Sequence, residues 1–152
     1  VSSTVSNDSA VDMLISIQNN SSVPIDLSKS ELLYYYKNDN DYNQKINVHY
    51  VGGKINGNWL NITDKISAEV NLLETIKDRA NSVIKLVFAD SIGTLCCDEN
   101  INIRLTICNE EWRQGRIDLS NDYSYYNVTA PDYIANNIIF KAKYLNNLFH
   151  LN

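Results

Sequence analysis

Alternation of apolar and polar residues with a period of two is the feature that most restricts how this chain can fold. Val11, Met13, Ile15 and Ile17 alternate with polar partners, as do Ile66, Ala68, Val70 and Leu72, then Ile84, Leu86 and Phe88. Ile101, Ile103, Leu105 and Ile107 repeat the pattern with Asn102, Arg104 and Thr106 turned outward, and Ile138, Phe140, Ala142 and Tyr144 repeat it near the end. Successive side chains of a strand point to opposite faces, so each run predicts a strand with one buried face. Turn-forming residues separate the runs: Asn19–Ser22, Gly52-Gly53, Asn56-Gly57-Asn58 and Asp90–Gly93. A short stretch, Asn71–Ala80, is the one place where a helix is expected. Many strands without alternating helices predict an antiparallel β-sandwich or barrel.

The chain has 152 residues, enough for one domain with a substantial core. Residues 1–7 are small and polar and read as a linker remnant ahead of a single domain over 8–152. A formal charge of -5 argues against a nucleic-acid partner, which needs a basic face to neutralise phosphates. No apolar run approaches the roughly 20 residues that span a bilayer, so the module itself is expected to make no membrane contact. Cys96, Cys97 and Cys108 leave two readings open. Either Cys96 or Cys97 faces Cys108 across a hairpin turning at Asp98-Glu99-Asn100, or all three are free thiols packed as small hydrophobes. Asn19, Asn61 and Asn127 begin glycosylation sequons that matter only in a glycosylating host.

Four segments, in order, carry a family resemblance. They are Val11–Asn19, Ile25–Lys29 followed by Leu33-Tyr34-Tyr35-Tyr36, Ser120–Ser124, and Tyr144-Leu145-Asn146-Asn147. Together they make the chain similar to the family 3 carbohydrate-binding modules over about residues 8 to 150. The resemblance implies an all-β, nine-stranded antiparallel jelly-roll sandwich, a structural calcium ion, and a flat aromatic strip that docks on cellulose. It also implies an extracellular, bacterial setting and a monomer.

Such a strip suits cellulose because stacked glucose rings present apolar faces fringed by hydroxyls, which aromatic platforms and interspersed polar groups can match. The resemblance puts His49, Trp59 and Trp112 at its three aromatic positions. Trp59 follows a turn and Trp112 follows Glu110-Glu111, so neither lies within an alternating run, although tryptophan is more often buried in a core. Many relatives add an Asp–Arg ion pair to the strip; the corresponding positions here are Val48 and Thr106, so both partners are missing together. Tyr50, Arg113 and Arg116 are candidates to fill the gap.

For calcium, which takes six to eight hard oxygen ligands, the resemblance implies the Lys37 carbonyl, Asp39, Asp118, Asn121 and Asp122, with Asp41 as a possible addition. The alternative is a pair of solvated acidic loops.

Catalysis finds little support. No Ser/His/Asp or Cys/His motif surrounds His49 or His150, and the acidic residues concentrate in turns rather than as a pair across a cleft. The expected function is binding of cellulose or a related plant cell-wall polysaccharide, for targeting or for sensing by a membrane anti-sigma factor. The competing expectations are an adhesion sandwich that binds a protein partner and a hydrolase-accessory module that does not bind crystalline cellulose.

Overall fold

The computed structural model describes residues 2–7, 9–40, 42–77, 79–125 and 139–142. Eleven strands appear among them: β1 (Ser2–Asn7), β2 (Ala10–Gln18), β3 (Ile25–Asp26), β4 (Ser30–Tyr36), β5 (Gln44–Ile55), β6 (Asn58–Asn61), β7 (Ile66–Lys77), β8 (Ala80–Phe88), β9 (Thr94–Leu95), β10 (Asn100–Asn109) and β11 (Ile139–Ala142). A five-stranded sheet has the order β1-β2-β10-β5-β6 and a four-stranded sheet the order β11-β4-β8-β7. These nine strands are antiparallel throughout, and β3 and β9 form a small ribbon beside them.

The alternating runs supply the core between the two sheets. Val11, Met13, Ile15 and Ile17 of β2 meet Ile101, Ile103, Leu105 and Ile107 of β10 in one buried layer. Leu32, Tyr34 and Tyr36 of β4 and Ile84, Leu86 and Phe88 of β8 form the facing layer. Phe140 of β11 closes on Phe88 edge to face at 6.1 Å between ring centroids. Burial of so many large side chains, each contributing roughly 1.5–3 kcal/mol, is what holds the layers together.

Three expectations need correction. Asn71–Ala80 is not helical: it is the end of β7 and the turn into β8, because its neighbours pair in register from Ile66↔Phe88 to Leu72↔Ser82. Propensity alone does not outweigh a ladder of that length. Leu72, expected on the buried face, is 77% exposed. Ser2–Asn7, read as linker, is the edge strand β1, paired with β2 from Ser2↔Leu14 to Asn7↔Ala10; its backbone supplies the bonds that its small side chains do not advertise. The cysteines follow the second reading: Cys96, Cys97 and Cys108 are all free. Cys108 pairs with Ala10 and Lys45 at the far end of β10, so no hairpin joins it to Cys96 or Cys97.

Candidate carbohydrate-binding face and calcium loops

The outer face of the five-stranded sheet is where the expected strip residues meet. Strand β5 pairs Arg104↔Tyr50 and Leu105↔Val48, so His49 is an extra residue between two registered pairs. This β-bulge flips the alternation, and His49 and Tyr50 both emerge outward in succession. Before the bulge Val48 packs against the core; after it Val51 does. Val48 is therefore not on the face at all.

Tyr50 lies flat along the sheet. Its hydroxyl oxygen is 2.5 Å, and its ring Cζ 2.8 Å, from the place where a Cβ on Gly52 would stand. Glycine at 52 is thus the seat of the Tyr50 ring, a close approach any side chain would block. Beyond it, β5 turns at Asn56-Gly57, both with positive φ, into β6, where Trp59 pairs with Lys54 and is 74% exposed. Asn-Gly is the pair that a tight hairpin of this kind prefers. The buried Glu99 carboxylate clamps the turn, accepting the backbone N–H groups of Asn56 (3.1 Å), Gly57 (2.6 Å) and Cys96 (2.8 Å). The bond to the Cys96 N–H leads in holding Glu99 below the usual carboxylate range.

Trp112 arrives at the opposite end from the loop after β10. Glu111 and Trp112 both have left-handed backbones, φ +56° and +54°, a costly arrangement that needs outside support. Asn109, fully buried, supplies it by donating to the carbonyls of Arg113 (2.9 Å) and Gly115 (3.0 Å). The indole is 53% exposed, and Lys45 Nζ stands 5.6 Å from its ring centroid, within cation–π range. From Lys45 to Lys54 the strand spans roughly 30 Å, so the face is long enough for several sugar rings. Arg113 takes another direction: it pairs with Glu111 at 2.7 Å and lies over the Tyr42 ring. Arg116 pairs with Asp118 at 3.0 Å. Neither lines the space between His49 and Trp112.

Thr106 is the centre of a hydrogen-bonded chain on this face. The Thr106 hydroxyl donates to Asp12 Oδ1, and His49 Nε2 lies 2.6 Å from the same hydroxyl oxygen. Because that hydroxyl is already committed as a donor to Asp12, His49 Nε2 must donate to it. Arg104, exposed and two residues along β10, shares the face. Asp12 and Arg104 were not singled out as functional from the sequence; the outward phase of β2 and β10 was the signal that could have found them.

Hydrogen bonds link the expected calcium-ligand residues in two groups across the loop after β4 and the segment after β10: Lys37 with Asp122, and Asp39 with Asp118 and Asn121. Asp122 accepts from the Lys37 N–H (2.9 Å) and the Tyr34 hydroxyl (3.1 Å). Asp39 accepts from the Asp118 N–H (2.9 Å) and the Asn121 amide (2.7 Å). Burial, reinforced by the nearby Asp39 and Asp118 charges, pushes Asp122 up to about 8 despite those two bonds. Asp118 is held below the usual range, first by the Ser120 hydroxyl. The Asn121 side-chain oxygen is buried with no hydrogen-bond partner. Among the described residues no three Asp, Glu, His or Cys side chains converge as a metal cluster. The remaining Asn121 oxygen and the uncompensated Asp122 nevertheless fit a hard cation, which would satisfy one and neutralise the other. Asp41, Tyr144–Asn147 and His150 lie outside the described residues.

The two antiparallel sheets carry exposed Trp59 and Trp112, and the class of protein is given by the family match. The cellulose binding domain family model matches residues 1–144, and the chain belongs to that family, the family 3 modules, which are non-catalytic. Its sequence is 30% identical over 133 residues to the anti-sigma-I factor RsgI2 of Acetivibrio thermocellus, covering 80% of this chain and 18% of that protein. Thus the chain spans less than a fifth of the length of that relative. In fold it is similar to the family 3a module of the CipA scaffolding of Clostridium thermocellum (TM-score 0.79, 21% identity, 98% of this chain and 95% of that one). It is also similar to the biomass-sensing module of RsgI2 from the same organism (TM-score 0.76, 22% identity, 98% and 91%).

Proposed function

We propose that this module binds cellulose, or a cell-wall glucan like it, through the face that carries Trp59, Tyr50, His49 and Trp112, and that it does so outside the cell. The observation that carries the reading is the exposure of both tryptophans on one sheet face, at opposite ends of a line that the bulge at His49 and the seat at Gly52 complete. Exposing two indoles to water is unfavourable unless a partner covers them. Three or four platforms, each covered on one face, are enough for micromolar binding once the cost of association is met. The resemblance to RsgI2 supports a sensing role in a larger protein over a bulk scaffolding role.

Calcium belongs to the same proposal as a structural ion. The Lys37 carbonyl, Asp39, Asp118, Asn121 and Asp122 would hold it, and its charge would offset the three carboxylates while tying together loops more than 75 residues apart in sequence. The proposal is tested by depletion of the purified module from solution by microcrystalline cellulose, with folded Trp59→Ala and Trp112→Ala variants beside it. Adsorption that both variants weaken supports the strip. No adsorption by the parent protein removes the cellulose reading and leaves a protein-binding sandwich or a hydrolase-accessory module.

A further inference from the structure

The aromatic face is not level along its whole length. Between His49 and Trp112 it dips into an open groove of about 370 Å3 lined by Ala10, Asp12, His49, Arg104, Thr106 and Trp112. Two small side chains make the dip. Ala10 ends in a methyl group, and Thr106 is drawn down by its bonds to Asp12 and His49. A long side chain at 106 would fill the space and make the strip continuous.

The lining has the chemistry of a sugar site. Trp112 offers an apolar wall for a ring face, Arg104 offers donors, and the Asp12 carboxylate and His49 Nδ1, the acceptor nitrogen of a neutral ring whose Nε2–H is committed to Thr106, offer acceptors. Arg104 is exposed and takes part in none of the salt bridges formed among the described residues. The guanidinium and the Asp12 carboxylate balance in charge, which favours a neutral ring: an anionic sugar would meet Asp12 and a cationic one Arg104. Shape decides the rest. The planar surface of a cellulose crystal rides over a concavity and cannot reach its floor, whereas a ring that projects from its chain can.

We propose that this groove is a separate subsite for one protruding neutral pyranose of a soluble β-glucan, either a chain end or a side branch. The inference rests on the glycan-binding reading of the same face but makes a different demand of the ligand. Its test is calorimetric titration with cellohexaose, which offers chain ends without branches, and with a xyloglucan heptasaccharide, which offers branches, set against adsorption to microcrystalline cellulose. Wild type, Arg104→Ala and Trp59→Ala are compared, each checked for folding by circular dichroism. Both substitutions are at exposed positions. The expected result is that Arg104→Ala weakens the soluble oligosaccharide at least tenfold and cellulose adsorption less, while Trp59→Ala shows the reverse order. Tighter binding of the heptasaccharide assigns the groove to a branch; equal binding of the two assigns it to a chain end. If neither oligosaccharide binds while cellulose adsorption is intact, the groove proposal fails and the strip stands. If both variants lose both ligands in parallel, the face is one surface and the separate subsite is refuted. Oligosaccharide binding without cellulose adsorption would instead sink the strip and keep the groove.

Discussion

Asp122 is 1% exposed and sits between a backbone N–H, the Tyr34 hydroxyl and two further carboxylates, Asp39 and Asp118. Its folded value of about 8 stands above the ordinary 3.8, so the ionised form is the disfavoured one in the native protein. Between those two values the metal-free native state holds a proton that the unfolded chain has released. Stability must then fall as pH rises, by about 1.4 kcal/mol per pH unit, or roughly 4 kcal/mol from pH 5 to pH 8. For a domain of this size that corresponds to a drop of roughly 8–16 °C in melting temperature. The carboxylates whose values are depressed, Asp26, Glu99 and Asp118, act below the ordinary carboxylate range and leave this window clear. A calcium ion would stabilise the ionised form and reverse the trend. Thermal melts by circular dichroism at pH 5, 6.5 and 8, in chelator and in millimolar calcium, test this directly. The expected result is a falling midpoint in chelator, restored by calcium most strongly at pH 8. Asp122→Asn keeps an oxygen for the Lys37 N–H and should abolish the pH dependence in chelator. A chelated wild-type midpoint that stays level or rises from pH 5 to 8, or one that calcium leaves unchanged at pH 8, would refute the reasoning.

Three further outcomes follow from particular contacts. Gly52→Ala puts a methyl 2.5 Å from the Tyr50 hydroxyl and 2.6 Å from the Leu60 carbonyl; it should cost about 1–3 kcal/mol in urea unfolding and weaken cellulose adsorption together. Thr106→Val keeps the shape but removes the link between Asp12 and His49, and a loss of about 1–2 kcal/mol in chemical denaturation is expected. Glu99→Gln weakens the clamp on the Asn56-Gly57 turn. The stability that Glu99 contributes is present above its unfolded value and lost as pH falls through its lower folded value, so wild type should lose stability in acid unfolding, monitored by Trp fluorescence, as pH drops below the ordinary carboxylate range, and the Glu99→Gln protein should lack that acid-dependent step.

Much of the fold was legible because its signal is local. Four alternating runs placed β2, β7, β8 and β10, and the ordered segments from Val11 to Ser124 identified the family. The helix expected over Asn71–Ala80 failed because good helix formers there are overruled by pairing across the hairpin into β8, from Ile66↔Phe88 to Leu72↔Ser82 and again at Lys77↔Ala80. The β1 strand escaped notice because an edge strand of small polar residues is held by backbone bonds and carries no hydrophobic pattern. Of the candidate site, the exposure of Trp59 and Trp112 was readable from their places beside turns. The bulge that turns both His49 and Tyr50 outward was not, since it is defined by register against β10. For the same reason Val48 read as a strip position although it faces the core, and Asp12 joins Thr106 from a strand 94 residues away.

Adsorption to microcrystalline cellulose by wild type and Trp59→Ala tests the central claim most directly. About 74% of the Trp59 surface is open to solvent. Covering one face of a large aromatic removes roughly 90 Å2 from water, about 2.3 kcal/mol, or roughly a fiftyfold change in Kd. The account predicts micromolar adsorption for wild type, a loss near that size in Trp59→Ala, and an unchanged melting temperature, because the side chain packs against little of the protein. Equal adsorption by the two proteins, or none by either, would contradict it.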